Sequence, residues 1–256
     1  MIEIVDFTRK YGETVAVDRM NLLVPAGRVF GLLGPNGAGK STTVKCITGL
    51  LRPTSGTIRV LGKDVTESPE ETKAAIGYVP ENPALFRTLT CREVLTLSGR
   101  LYRMDEATLR ERREELLRRF GLAGKGDEQV SALSKGMTQK LAIASALLHA
   151  PRVLILDEPL NGLDAASAAV FKEVVRSFAA RGGTVVFCSH TLEVVERLCD
   201  GICILAGGRV LRQGTVEEIV SATGAGSLEE AFIRLTGLAD VDREAAEILS
   251  ALDGGS

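Results

Sequence analysis

The run GPNGAGKST, from Gly34 to Thr42, sets a glycine, four residues and a second glycine ahead of Lys40 and Ser41. It follows the apolar stretch VFGLL and opens a segment of helical period, the strand-to-helix setting that a phosphate-binding loop requires. Gly34, Gly37 and Gly39 let the backbone through Pro35, Asn36 and Ala38 curl so that successive N–H groups point at one anion. The helix N-terminus adds its dipole. Lys40 brings a full positive charge to the β and γ phosphates, and Ser41, followed by Thr42, offers a hydroxyl to Mg²⁺. A second chemical pair, Asp157 and Glu158, ends the apolar run VLILDEP. Strand alternation sends the two carboxylates to opposite faces, so they are expected to take different tasks: Asp157 in the Mg²⁺ shell, Glu158 polarising an attacking water. The third stretch is LSKGM, Leu133 to Met137. Ser134 is a good N-cap, yet Gly136 two residues later costs a helix roughly 1 kcal/mol relative to alanine. The expectation is that something approaches that backbone closely. A hydroxyl, a bare glycine and Lys135 at a helix start suit an anion.

These residues need elements to hold them. Short β-branched runs alternate with longer helical ones: RVFGLLG then GKSTTVKCITGLL, RVLILDE then AASAAVFKEVVRSFAARG, TVVFCSH then TLEVVERLC. That is the α/β pattern, with a mainly parallel sheet buried between helices. The first ~25 residues and GTIRVLGKDV read instead as hairpin strands, an antiparallel layer beside the sheet. Between about 88 and 150 the strands give way to three helical segments, CREVLTLSGRLY, DEATLRERREELLRRFG and KGMTQKLAIASALLHA, an inserted helical subdomain. The run RERREELLRR reads as a solvated face, with Glu114/Arg118 and Glu115/Arg119 as i,i+4 pairs and Leu109, Leu116, Leu117 and Phe120 on the other side. One domain is expected over 1–237 and a short helical tail over 238–256.

Composition narrows the function classes. The 256 residues are 45% hydrophobic and 25% charged, ordinary for a globular chain. No apolar run reaches the length of a membrane span, and the acidic start MIEIVDF is unlike an export signal, so a cytoplasmic chain is expected. The five cysteines show no paired CxxC spacing and read as reduced core residues. A net charge of −2 argues against general nucleic-acid binding.

Taken together, the glycine loop, LSKGM, the Asp157/Glu158 strand and His190 after TVVFCS resemble the ATP-binding subunit of ABC transporters, in order from Tyr11 to about Gly237. The resemblance implies that Tyr11 stacks on adenine, that Asp164 in NGLD belongs to the loop communicating across a dimer, and that His190 contacts the γ-phosphate. It implies that Ser134, Lys135 and Gly136 cap the γ-phosphate of ATP bound to the opposite subunit, where the family carries Leu-Ser-Gly-Gly-Gln. Two departures stand out: Lys135 and Met137 replace a glycine and the glutamine, and Glu81 stands where the family has a glutamine touching Mg²⁺ and the attacking water. A carboxylate still ligates Mg²⁺. With SLEEAFIRLTG near the C-terminus, these departures resemble the bacterial exporter branch that handles drugs, sodium and polysaccharides. ATP and Mg²⁺ are the implied cofactors. The implied partners are a transmembrane permease and a second copy or homologous ATPase subunit, with the chain on the cytoplasmic membrane face and no nucleic acid bound. The rival readings are an ABC-type ATPase on ribosomes or DNA, which usually carries two cassettes or long coiled coils, and a P-loop kinase or GTPase, which leaves LSKGM, Asp157/Glu158 and His190 unexplained together. A regulatory module that binds ATP without cleaving it has no use for Glu158 and His190.

Overall fold

Side-chain alternation builds the first layer. In the computed structural model, which describes residues 1–237, β1 (Ile2–Tyr11) and β2 (Thr14–Val24) pair antiparallel across Gly12 and Glu13. Ile2, Ile4 and Phe7 from β1 and Met20, Leu22 and Val24 from β2 are buried on the shared inner face. β3 (Val29–Leu33) then runs straight into the glycine loop and α1 (Lys40–Ile47). β4 (Ser55–Val60) and the short β5 (Lys63–Asp64) return to the first sheet, giving the order β2-β1-β4-β5, which is the antiparallel layer expected from the sequence. α2 (Pro69–Ala75) is too short for periodicity to announce, but Pro69 at its first turn with Glu70 and Glu71 is a helix-start composition.

The second sheet positions the chemistry. β6 (Ile76–Val79) is followed by α3 (Cys91–Leu101), α4 (Glu106–Arg119) and α5 (Lys135–Leu148) before β7 (Val153–Asp157) begins. α6 (Ala165–Ala180), β8 (Thr184–Cys188), α7 (Leu192–Leu198), β9 (Gly201–Ala206), β10 (Arg209–Gly214), α8 (Val216–Thr223) and α9 (Leu228–Thr236) complete the described chain. The sheet order is β10-β9-β3-β8-β7-β6, parallel throughout except for β10 against β9. β3, β7 and β8 are buried at every position, which is why they read as unbroken apolar runs. Their side chains alternate between two cores. Phe30, Leu32, Val153, Ile155 and Val186 pack against α1 and the antiparallel layer. Val29, Leu33, Leu154, Leu156 and Phe187 pack against α6 to α9.

A third core ties α3, α4 and α5 together through Cys91, Leu95, Leu109, Leu117 and Leu141. On the outer face of α4, Glu115 pairs with Arg118 and Arg119, but the expected Glu114/Arg118 pair does not form. Glu114 turns toward α3, where Arg92 reaches it at 3.1 Å, and takes Arg113 at 2.9 Å. Two guanidiniums converging on one carboxylate outcompete a single partner across an exposed helix turn. Cys46, Cys91, Cys188 and Cys203 are buried, Cys199 is half-buried, and all five are free thiols. SLEEAFIRLTG forms α9, capped by Ser227 and packed through Leu228 and Ala231. The helical tail expected over 238–256 lies outside the described residues.

Candidate functional site

Three neighbouring parallel strands release their chains at one rim. β3 leads into Gly34, β8 into Ser189 and His190, and β7, ending at Asp157, into Glu158, while β6 beside β7 leads to Glu81. Open α/β sheets bind ligands outside the carboxyl ends of their strands, so sheet order alone gathers residues far apart in sequence.

The glycine loop shapes an anion cradle. Gly39 caps α1 at φ 102, a left-handed conformation open to glycine, and a Cβ there would meet the Ala16 carbonyl oxygen at 2.7 Å. α1 has neither a side-chain cap nor an acidic residue in its first turn, so its leading N–H groups are left for a ligand. α3, α4, α5, α6, α8 and α9, by contrast, all start with a side-chain cap. Lys40 Nζ donates to the Gly34 carbonyl at 2.6 Å and the Pro35 carbonyl at 3.0 Å, folding its ammonium back over the loop. Ser41 is exposed at the start of the helix. Gly34, Pro35 and Asn36 share a small cavity with Ser189 and His190.

The two carboxylates separate for a reason other than the one alternation suggests. Asp157 is the last residue of β7 and is 6% exposed. Glu158 has already left the strand, with φ 48, a left-handed backbone that is costly for a side-chain-bearing residue. Its N–H donates to the Cys188 carbonyl at 2.9 Å, which holds the turn against the end of β8. Glu158 Oε1 then lies 2.9 Å from His190 Nδ1, and Oε2 accepts from Ser189 Oγ at 3.3 Å. Burial, reinforced by the charges of Glu81 and Glu158 and opposed by Lys40 and Lys45, pushes the Asp157 carboxyl up to about 6. Asp157, Glu158, Glu81 and Lys40 therefore form one electrostatic neighbourhood.

LSKGM occupies the start of α5. Ser134 accepts the Met137 N–H at 3.2 Å as its N-cap, and Met137 packs into the helical core. A Cβ on Gly136 would stand 2.5 Å from the Gly162 carbonyl oxygen. The close approach expected at this glycine thus comes from the chain's own 159–164 loop. That loop is fastened twice more: buried Gln139 Nε2 donates to the Pro159 carbonyl at 2.9 Å, and Lys140 reaches Asp164 at 3.4 Å. Asp164 caps α6, accepting Ser167 N–H at 2.8 Å and Oγ at 2.7 Å, and these bonds hold its carboxyl down at about 2. Among the described residues, no hydrogen bond joins 134–136 to the 34–42 loop. Lys135 shares with Glu81 and Gln139 a groove that runs past Leu85 and Arg87.

Tyr11 ends β1, 45% exposed, with one face of its ring covered by Arg9, whose Cζ lies 4.8 Å from the ring centroid. Arg9 is itself tied to the Arg52 carbonyl at 2.9 Å. Sequence reasoning missed Gln139 and Ser189. Nothing local marks the former, whereas a hydroxyl wedged between a buried strand and a histidine was a usable signal for the latter.

A family model described as ABC transporter matches residues 17–161. The chain is 41% identical over 213 residues to the Nod factor export ATP-binding protein I of Rhizobium meliloti, covering 83% of this chain and 64% of that one. It thus spans about 64% of the length of that curated relative. A solved structure described as the ATP binding subunit of an ABC transporter superposes with a TM-score of 0.87 at 35% identity, covering 92% of this chain and 99% of that one. An ATP-binding cassette solved as a dimer in a post-hydrolysis state, bound to ADP and Pi, gives a TM-score of 0.76 at 28% identity, covering 84% of this chain and 98% of that one.

Proposed function

The chain belongs to the ABC transporter family, and on that premise we propose that it is the ATP-hydrolysing subunit of a membrane exporter. The carrying observation is the convergence, at one rim, of an uncapped helix start behind a glycine loop with Glu158 held between Ser189 and His190. In this reading the N–H groups from Gly34 to Thr42 and the Lys40 ammonium hold the triphosphate, Tyr11 stacks its open face on adenine, and His190 turns to the γ-phosphate. Glu158 accepts a proton from the water that attacks the γ-phosphorus, as the β–γ bond breaks to give ADP and phosphate.

The donor set suits Mg²⁺. This hard cation takes one or two protein oxygens and leaves its other positions to phosphate and water. The exposed Ser41 hydroxyl and the buried Asp157 carboxyl fit that sparse set, with Glu81 beside them. Among the described residues no group of three or more His, Cys, Asp or Glu closes into a cage of its own. Bound there, the ion would neutralise charge on the β and γ phosphates.

Ser134, Lys135 and Gly136 then serve a second chain. Two copies, or this chain and a homologue, face head to tail so that the start of each α5 closes on the other's ATP. The dimeric, ADP- and Pi-bound cassette similar to this chain supports that arrangement. Residues 88–150 act as the helical subdomain within a cassette spanning 1–237. The groove beside Glu81, Leu85 and Arg87, with Phe86 64% exposed, receives short helices of a separate permease on the cytoplasmic membrane face. Among the described residues no helix is long and apolar enough to cross a membrane, and in this reading the passage is formed by that partner. Similarity to a Nod factor export protein supports outward transport. Replacing Glu158→Gln tests the reading: ATP binding persists while hydrolysis falls by roughly 10² to 10⁴, the usual range for losing a general base. Hydrolysis at the unmodified rate would remove Glu158 from the chemistry.

A further inference from the structure

Ser189 sits between the last residue of β8 and His190, and is 5% exposed. Its Oγ accepts the Thr191 N–H at 3.1 Å and lies 3.3 Å from Glu158 Oε2. A hydroxyl has one proton to give; with the backbone N–H on its lone pair, that proton goes to the carboxylate. The two oxygens of Glu158 therefore have different partners, Ser189 on Oε2 and His190 on Oε1. The partners also differ in freedom. The His190 side chain is 72% exposed, whereas that of Glu158 is 12% exposed. Ser189 is buried between the end of β8 and Thr191, the N-cap of α7, and its bond to Glu158 does not run through the imidazole.

We infer that Ser189 is the positioning residue for Glu158: it holds Oε2 through the cycle, while His190 covers Oε1 in the nucleotide-free chain and uncovers it on turning to the γ-phosphate. This rests on the reading of Glu158 as the base and adds which oxygen does the work. The lone pair of the water oxygen attacks the γ-phosphorus, and the bond to the β–γ bridging oxygen breaks with its electron pair leaving on ADP. One water proton passes to Oε1. Without Ser189 the carboxylate rotates about its last torsion as soon as His190 departs, and the free oxygen is no longer aimed.

The test compares Ser189→Ala, Ser189→Thr and Glu158→Gln in the full chain by steady-state and single-turnover ATP hydrolysis. Losing a hydrogen bond to a charged group is expected to lower kcat about ten- to a hundredfold in Ser189→Ala, with KM held within about twofold because the triphosphate contacts are untouched. Ser189→Thr keeps a hydroxyl and is expected to recover most of kcat. Adding Ser189→Ala to Glu158→Gln should cost little further, since both changes act through one carboxylate. Unmodified kcat in Ser189→Ala overturns the inference. So does a full additional loss in the double variant, because Ser189 would then act on something other than Glu158. If Ser189→Ala loses heat stability, the double-variant comparison still decides: a purely structural loss repeats itself in the Glu158→Gln background. Failure of the underlying reading looks different, with Glu158→Gln itself hydrolysing normally.

Discussion

Gly136→Ala separates two demands on one residue. In an ordinary helix the change would stabilise the protein by roughly 1 kcal/mol through helix propensity. Here the new methyl would stand 2.5 Å from the Gly162 carbonyl oxygen, nearly 1 Å inside the usual C···O contact of about 3.3–3.6 Å. The loop cannot simply retreat. Gln139 holds its Pro159 carbonyl at 2.9 Å and Lys140 holds Asp164 at 3.4 Å, so backing away stretches both. Overpacking of this kind costs about 1–3 kcal/mol, which offsets the propensity gain and leaves a net loss of up to about 2 kcal/mol. For a chain of this size each kcal/mol moves Tm by about 2–4 °C, so nucleotide-free Gly136→Ala is expected to melt up to about 8 °C lower by calorimetry or circular dichroism, and not to show the rise of about 2–4 °C that helix propensity alone would give. The absence of nucleotide is essential, since no ligand or second chain can then account for the loss. A variant melting above the parent by the full propensity gain of about 2–4 °C would mean that the Gly162 contact exerts no constraint and that Gly136 answers only to a ligand from outside the chain.

Tyr11→Ala should weaken ATP binding by about 1–3 kcal/mol if its exposed ring face stacks on adenine, with little discrimination against GTP because stacking reads only a π-face; unchanged affinity by titration calorimetry returns Tyr11 to a packing role. His149 stacks on Tyr102 with centroids 3.6 Å apart and donates from Nε2 to the Ile76 carbonyl at 3.1 Å, leaving Nδ1 buried without a partner among the described residues. Burial pushes this imidazole down to about 4, so between pH 6.5 and 4 the unfolded chain binds a proton that the folded chain refuses, and stability falls as pH falls through that window. His149→Phe should flatten Tm against pH between those limits, and an unaltered acid slope would assign the sensitivity elsewhere.

Local signals were legible in the sequence where a single residue type answers to a single backbone need. The loop from Gly34 to Thr42 is such a case: its glycines, lysine and serine must be adjacent, and the strand before it and helix after it carry their own periods. Strand–helix alternation likewise placed Asp157 at the end of a strand and His190 just after one, because β7 is apolar up to Asp157 and β8 runs apolar to Cys188. What period-2 logic missed was how Glu158 parts from Asp157, turned off the strand by a left-handed φ that no spacing encodes and that the Cys188 carbonyl, thirty residues away in sequence, supports. Arg92 took Glu114 from Arg118 for the same reason: the competing partner lies on another helix. Gly136 was flagged by its helix cost, but its neighbour could not be named before Gly162 was in place.

Lys40, clasped by the Gly34 and Pro35 carbonyls, makes the glycine loop a latch that is shut before any ligand arrives. An entering phosphate chain does not meet a free ammonium. It must lift one off two oxygens, a trade of neutral acceptors for anionic ones that favours the ligand only when enough negative charge comes within reach. The two carbonyl bonds at Lys40 therefore set a cost that the charge of the phosphate chain has to offset before it is held.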